Sequence, residues 1–229
     1  MPINQPRKIM EHATAIDTTT VTIDNDLMIM PGHLAAIAMF AAKKDIRSYL
    51  IGVCIDTGPS GTFLVATCGH TVAIHQIDTV ARTVGQFIMP LVPLASMIKA
   101  NRRIGIKLTL PAGFSGRYDS KVKRQVTLES LKGEISIVSE LDGIFPDWRR
   151  VAKHDDAPYP HHVFFDTRYL SLVSDAANVI SQRKFPVQVR PGGTSCGFAH
   201  LDFEGKTVVY IMPLRATIDE LPSKPGMTY

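Results

Sequence analysis

The sequence predicts an α+β fold: a two-layer sandwich built from repeated strand–helix–three-strand units. Three observations carry this expectation. The same order of elements recurs three times along the 229 residues, each time over about 60 residues. Prolines stand where the first two helices begin, at Pro31 and Pro90, and Pro suits a first helical turn. The composition is 45% hydrophobic and 20% charged, enough to fill a sizeable core. One helix over a small antiparallel sheet buries its apolar side poorly; two such units side by side bury it well.

Residues 1–19 are polar and without period, and read as a flexible arm. In the first unit, residues 21–23 and 27–30 are strand-like. Residues 34–42 form a helix with Leu34, Ile37, Ala38 and Ala41 on one face. Residues 48–56 are a β-branched strand, 56–61 (Asp-Thr-Gly-Pro-Ser-Gly) a dense turn, and 62–67 and 71–77 complete a meander. The second unit has a strand at 86–89, a helix at 91–100, and strands at 104–110, 123–128 and 134–139. Residues 142–160, rich in Pro, Asp and His, separate it from the third. There, 162–165 is a strand, 167–177 a helix, and 185–189, 197–203 and 207–212 are strands.

Composition excludes several classes. The longest apolar run, near residues 34–42, is too short to cross a bilayer, and no apolar stretch backs the charged start, so no membrane or secretory role is expected. Cys54, Cys68 and Cys196 are an odd set without Cys-x-x-Cys spacing, which argues for a reducing, cytoplasmic setting and against a disulfide framework or zinc site. The net charge of +4 is modest, but cations cluster: Lys43, Lys44 and Arg47; Arg102, Arg103 and Lys107; Arg117, Lys121, Lys123 and Arg124; Arg183 and Lys184. Each cluster reads either as a solvated turn or as a phosphate contact.

Four motifs point to a family. Residues 44–52 (Lys-Asp-Ile-Arg-Ser-Tyr-Leu-Ile-Gly) resemble the segment entering a hairpin of the middle domain of the bacterial DNA polymerase III beta sliding clamp. Residues 66–73 (Ala-Thr-Cys-Gly-His-Thr-Val-Ala) resemble that domain's Ala-Thr-Asp-Gly-His-Arg-Leu-Ala motif. Residues 145–151 (Phe-Pro-Asp-Trp-Arg-Arg-Val) resemble its closing Phe-Pro-Asp-Tyr-Arg-Arg-Val, and 209–215 (Val-Tyr-Ile-Met-Pro-Leu-Arg) resemble the family's C-terminal motif. The four stand in family order over roughly residues 22–215. The resemblance implies a DNA-clamp-type sandwich: a complete domain at 20–151, like the family's middle domain, and a half domain at 152–215, like the second half of its last. A tail follows at 216–229. The family forms closed rings around duplex DNA, has no catalytic chemistry and no cofactor, and docks short peptides of polymerases, clamp loaders and repair proteins between its middle and last domains.

Carried over by motif position, one wall of such a cleft would be Leu50, Thr67, Gly69, His70, Thr71 and Val72. The floor would be Pro146, Arg150 and Val151, and the far side Tyr169, Met212, Leu214 and Arg215. Gly69 admits close backbone approach, Met212 and Leu214 supply an adaptable apolar surface, and Arg150 and Arg215 suit peptide carbonyls or a carboxylate. The plain alternative is ordinary packing at a domain junction. Cys68 and Thr71 depart from the family's Asp and Arg, which predicts a different partner preference. Lys43, Lys44, Arg47 and Tyr49 fall where the family meets DNA, a contact that would be blind to sequence. The second helix instead opens with Leu91-Val92. A truncated clamp that binds clamp partners without encircling DNA is the competing reading. With three half-units, the last is expected to expose the apolar flank of its helix (Tyr169, Leu170, Leu172, Val173) and a sheet edge, and so to favour a homo-oligomer. The tail, with Ile218, Leu221, Met227 and Tyr229, leaves the last strand beside the cleft.

Catalytic readings are weaker. Cys54-Ile55-Asp56-Thr57-Gly58 matches the aspartic protease pattern, which would need a dimer to pair two carboxylates; a hairpin loop accounts for the same residues. His154, Asp155, Asp156, His161 and His162 are loosely spaced for a metal site and read as a solvated linker. Cys68 and His70 could share a strand face as a nucleophile and base, but no third orienting residue is evident. No Walker motif and no Gly-x-Gly-x-x-Gly occurs.

Overall fold

The computed structural model describes residues 23–24, 26–101, 103–111, 115–116, 119–122, 124–152, 164–191 and 196–214. The arm at 1–19, the His- and Asp-rich stretch at 154–162, Arg215 and the tail at 216–229 lie outside them. The elements run β1 (Ile23–Asp24), β2 (Asp26–Ile29), α1 (Pro31–Ala38), β3 (Gly52–Gly58), β4 (Gly61–Thr67), β5 (Thr71–Ile77), β6 (Val80–Ala81), β7 (Gly85–Pro90) and α2 (Leu91–Ala100). They continue with β8 (Ile106–Thr109), β9 (Gln125–Ser130), β10 (Ile135–Ser139), α3 (Thr167–Ser181), β11 (Arg190–Pro191), β12 (Gly197–His200) and β13 (Thr207–Ile211).

The first two units exchange their leading strands. β2 of the first unit pairs antiparallel with β8 of the second, completing a four-stranded sheet in the order β10-β9-β8-β2. β7 of the second unit pairs with β3 of the first. The third unit extends the first unit's sheet: β13 runs antiparallel to β5, with Thr207 opposite His75 and Ile211 opposite Thr71. The result is a seven-stranded sheet, β11-β12-β13-β5-β4-β3-β7. A two-stranded parallel pair, β1 with β6, was not anticipated.

The main core lies between the helices and the sheets, and includes Leu34 and Ile37 of α1, Leu94 of α2 and Val173, Ala176 and Ala177 of α3. α1 and α3 pack directly, with Gly32 against the Val179 carbonyl oxygen. A second core covers the other face of the large sheet. It joins Cys54, Val65, Ile74 and Ile88 to Phe145, Trp148 and Tyr210. The chain at 141–152, which links the second unit to the third, therefore lies over that face. Double coverage explains why β3 is buried at every position although its sequence is not uniformly apolar.

The structure corrects the sequence expectations in several places, among them the start of the expected 48–56 strand, where residues 48–50 form a 3-10 turn and β3 begins at Gly52. α1 stops at Ala38, because Phe40 and Ala41 donate to carbonyls three residues back and Ala42 then donates to the Leu50 carbonyl at 2.9 Å. The expected turn at 56–61 shrinks to Pro59 and Ser60, so Asp56 and Thr57 are strand residues. Residues 185–189 form no strand and pack irregularly against the core through Phe185, Val187 and Val189. The flank of α3 is not left open: Tyr169, Leu170, Leu172 and Val173 all pack on the main core, since the third unit docks on α1 and β5 of its own chain. Among the described residues, no helix is long and apolar enough to cross a membrane.

Candidate functional site

The predicted wall residues sit on the turn between β4 and β5. Gly69 takes φ +90°, a conformation L side chains rarely adopt. The turn is closed by Thr67, whose hydroxyl donates to the Thr71 carbonyl (2.7 Å) and accepts from the Gly69 amide (3.0 Å). Thr67 and Thr71 are thus buried framework, as is Leu50, while Gly69 and His70 face solvent and Val72 is half-buried. The end of β13 is tied to this turn: the Met212 amide donates to the His70 carbonyl at 2.8 Å. The next pairing holds Leu214, whose amide donates to the Phe164 carbonyl at 2.7 Å. Met212 and Leu214 are each 52% exposed beside the turn. Tyr169, at the start of α3, stacks on the His70 ring with centroids 5.9 Å apart, and burial raises the pKa of its hydroxyl.

The residues at 145–151 reach the same seam by a different device. Asp56 is buried in β3 and accepts from Trp148 Nε1 (2.8 Å), Gln86 Nε2 (2.9 Å) and the Arg149 guanidinium (2.7 and 3.2 Å). Arg149 also lies over the Trp148 ring, 4.3 Å from its centroid. Tyr210, opposite Val72 in the seam, donates its hydroxyl to the Ala152 carbonyl at 3.3 Å. Pro146, Arg150 and Val151 are exposed on the segment so held.

This geometry overturns the protease reading. The Asp56 carboxylate meets amide, indole and guanidinium donors, the set that fixes a buried anion rather than a proton-sharing pair. The Cys68–His70 reading fails too: the Cys68 thiol is at 3.3 Å from the Thr71 hydroxyl, and the His70 ring stacks on Tyr169.

No protein-family model matches the sequence, and no curated protein matches it. Solved structures do. A DNA polymerase sliding clamp from Caulobacter crescentus superposes with a TM-score of 0.59 at 18% identity, over 86% of this chain and 67% of that one. The DNA polymerase III subunit beta of Borrelia burgdorferi gives 0.57 at 13%, over 89% and 65%, and that of Pseudomonas aeruginosa 0.54 at 15%, over 83% and 66%. The chain has the sliding-clamp fold. It spans about two thirds of the length of these clamps.

Seen as a clamp fold, the helix layer is poor in charge. α1 holds no Lys or Arg, α2 only Lys99, and α3 only Arg168, which is engaged with Asp166 at 2.6 Å. Of the residues expected to face DNA, Lys43 and Lys44 are exposed. Arg47 chelates Asp45 through two nitrogens at 2.9 Å, hydrogen bonds that lower the Asp45 pKa to about 2. Tyr49 is half-buried against Gly143. Other cations of the basic clusters are also engaged: Lys107 with Glu129 (2.6 Å), and Arg124, buried, with Glu140 (2.7 and 2.5 Å).

Sequence reasoning missed Asp56, Trp148 and Arg149 as the clasp that places residues 145–151. The signal available was an acid after the apolar run 53–55 and an Arg beside the chain's one tryptophan.

Proposed function

We propose that this chain is a non-catalytic, sliding-clamp-like protein that captures short linear peptides of replication or repair proteins. The observation that carries the reading is the open end of the β5–β13 seam. There the Met212–His70 backbone bond sets exposed Met212, Leu214 and His70 on one rim, with Tyr169 stacked behind. Solvent-exposed Met and Leu beside a rigid glycine turn make an adaptable surface for hydrophobic anchors. Exposed Pro146, Arg150 and Val151 lie on the segment held by Asp56 and, through Ala152, by Tyr210 of the seam. On this reading residues 20–151 act as a complete clamp-type domain and 152–215 as a half domain.

The regulator reading, in which the protein binds clamp partners without encircling DNA, is favoured over processivity. Its support is the helix layer, where a clamp's duplex would lie: the helices themselves carry only Lys99 and Arg168, with exposed Lys43 and Lys44 following α1. Sequence-blind duplex binding depends on many unneutralised cations.

The test is fluorescence anisotropy with a labelled peptide carrying glutamine followed by leucine and phenylalanine anchors. Met212→Glu, an exposed substitution, should weaken binding at least tenfold while the melting temperature stays unchanged. Equal binding by the two proteins refutes the cleft. A parallel titration with duplex DNA should show no binding at physiological salt; tight, salt-sensitive binding refutes the regulator reading.

A further inference from the structure

The far end of the seam from His70 holds a group of side chains that peptide capture does not use. His33 near the start of α1, His75 on β5 and Asp202 in the turn after β12 each offer one donor atom, and these atoms lie within 4.8 Å of one another. The two imidazoles stack with centroids 4.2 Å apart and planes 18° apart. They border a cavity of about 590 Å³ that also meets Met28, Met30 and Phe185.

We propose that His33, His75 and Asp202 bind a single late first-row divalent cation, with Zn²⁺ best suited, and that this ion clasps the third unit to the first.

Four observations carry the proposal. Two imidazoles and one carboxylate are a donor set zinc accepts, with a fourth position left for water from the adjoining cavity. Tetrahedral bonds of about 2.0–2.2 Å need donor atoms about 3.3–3.5 Å apart, so side-chain rotations of an ångström or so close the present spacing. His75 Nδ1 lies 2.9 Å from the Thr207 hydroxyl. With Nδ1 donating there, Nε2 keeps its lone pair for a metal, and Thr207 fixes the ring as outer partners of metal-bound histidines do. Asp202 Oδ1 accepts the Lys206 amide at 3.0 Å, but Oδ2 is buried without a hydrogen-bond partner. A carboxylate oxygen so placed costs stability unless something positive meets it.

The surroundings favour a cation. Asp78, Asp202 and Glu204 line the cavity against two cations, Lys206 and Arg183. Lys206 is itself held by Asp78 (2.7 Å) and Glu204 (2.8 Å).

The three donors come from α1, β5 and the β12–β13 turn, so a bound ion ties the third unit's hairpin to both layers of the first. β13 would then be anchored at one end through Thr207, on the metal-bound His75, and at Met212 by the His70 backbone.

The experiment titrates Zn²⁺ into the full chain after chelator treatment, by calorimetry, with Co²⁺ as a spectroscopic probe. One equivalent should bind, with the visible bands of four-coordinate Co²⁺. His33→Gln and Asp202→Asn, the latter keeping the oxygen that accepts from Lys206, should each weaken binding by more than about 100-fold, since even outer partners of a metal site contribute about 10–100-fold. A variant with His161→Ala and His162→Ala should bind like the wild type. Zn²⁺ should slow amide exchange at residues 207–211 in the wild type and not in Asp202→Asn. Retention of the tight equivalent by His33→Gln and Asp202→Asn, or its loss in the His161/His162 variant, overturns the site. Unchanged exchange at β13 overturns the clasp.

Discussion

Truncating Asp56 to alanine tests how residues 145–151 are held, and its cost can be worked from the contacts. The side chain is 6% exposed and takes hydrogen bonds from three partners. Arg149 is 40% exposed, so after truncation its guanidinium turns to water, and that ion pair accounts for about 0–1 kcal/mol. The Trp148 Nε1–H, in a residue 7% exposed, has no such escape and is left unsatisfied at about 1–3 kcal/mol. The Gln86 amide, half-buried, adds about 1 kcal/mol. Asp56→Ala should therefore destabilise by about 2–5 kcal/mol. Asp56→Asn, which keeps an oxygen for the indole, should cost about half that. Urea unfolding followed by the fluorescence of Trp148, the chain's one tryptophan, reads both values. Because the same carboxylate positions Pro146 and Arg150, peptide affinity should fall with Asp56→Ala. A loss below about 0.5 kcal/mol, or equal losses for Ala and Asn, would refute the reasoning.

Further outcomes follow from other buried groups. Glu140→Ala strands the Arg124 guanidinium, whose side chain is 8% exposed, and should cost about 3–5 kcal/mol in urea; a loss under about 1 kcal/mol would mean the pair is dispensable. Gly69→Ala forces an L residue to φ +90° and should cost about 1–3 kcal/mol while weakening peptide binding; unchanged stability would mean the turn relaxes freely. Burial lowers the His75 pKa to about 4, aided by His33 stacked on it; Asp202 and Asp78 oppose the shift and Lys206 adds to it. Since the unfolded chain takes up that proton below about 6.5 and the folded one does not, metal-free stability should fall as pH drops from 6.5 towards 4, by up to about 3 kcal/mol. His75→Gln should lack that part of the slope, and an identical pH profile for the two proteins would refute it.

How much of this was legible in the sequence depends on which forces set each feature. α2 was legible to the residue, because Pro90 and the apolar spacing of 91–100 are local signals. The β4–β5 turn was legible because Gly69 must adopt a conformation other residues avoid. What escaped was set by partners far along the chain. β3 reads as a strand running into a turn, yet it continues through Asp56 and Thr57 because residues 141–152 cover its second face. The docking of α3 on α1 escaped because a helix with an apolar flank says nothing of what fills it. The grouping of His33, His75 and Asp202 spans 170 positions and depends on the β5–β13 register.

That register also bears on the proposed peptide capture. Pairing β13 with β5 aligns Ile211 with Thr71 at one end and Thr207 with His75 at the other, so one strand pair positions both the exposed rim and the histidine group. Nothing comparable organises the helix layer for a polyanion. Its exposed surface includes Val92 and Val179, and the basic clusters flanking it place Arg47, Lys107 and Arg124 in internal ion pairs. Peptide capture needs only the seam and the segment clasped by Asp56. Encircling DNA needs a charged inner face that can slide on phosphates. The seam is built from buried, hydrogen-bonded parts, whereas the three helices carry only Lys99 and Arg168, beside exposed Lys43 and Lys44 after α1. The physical case therefore separates the two properties, and supports the proposal of peptide capture over that of encircling DNA.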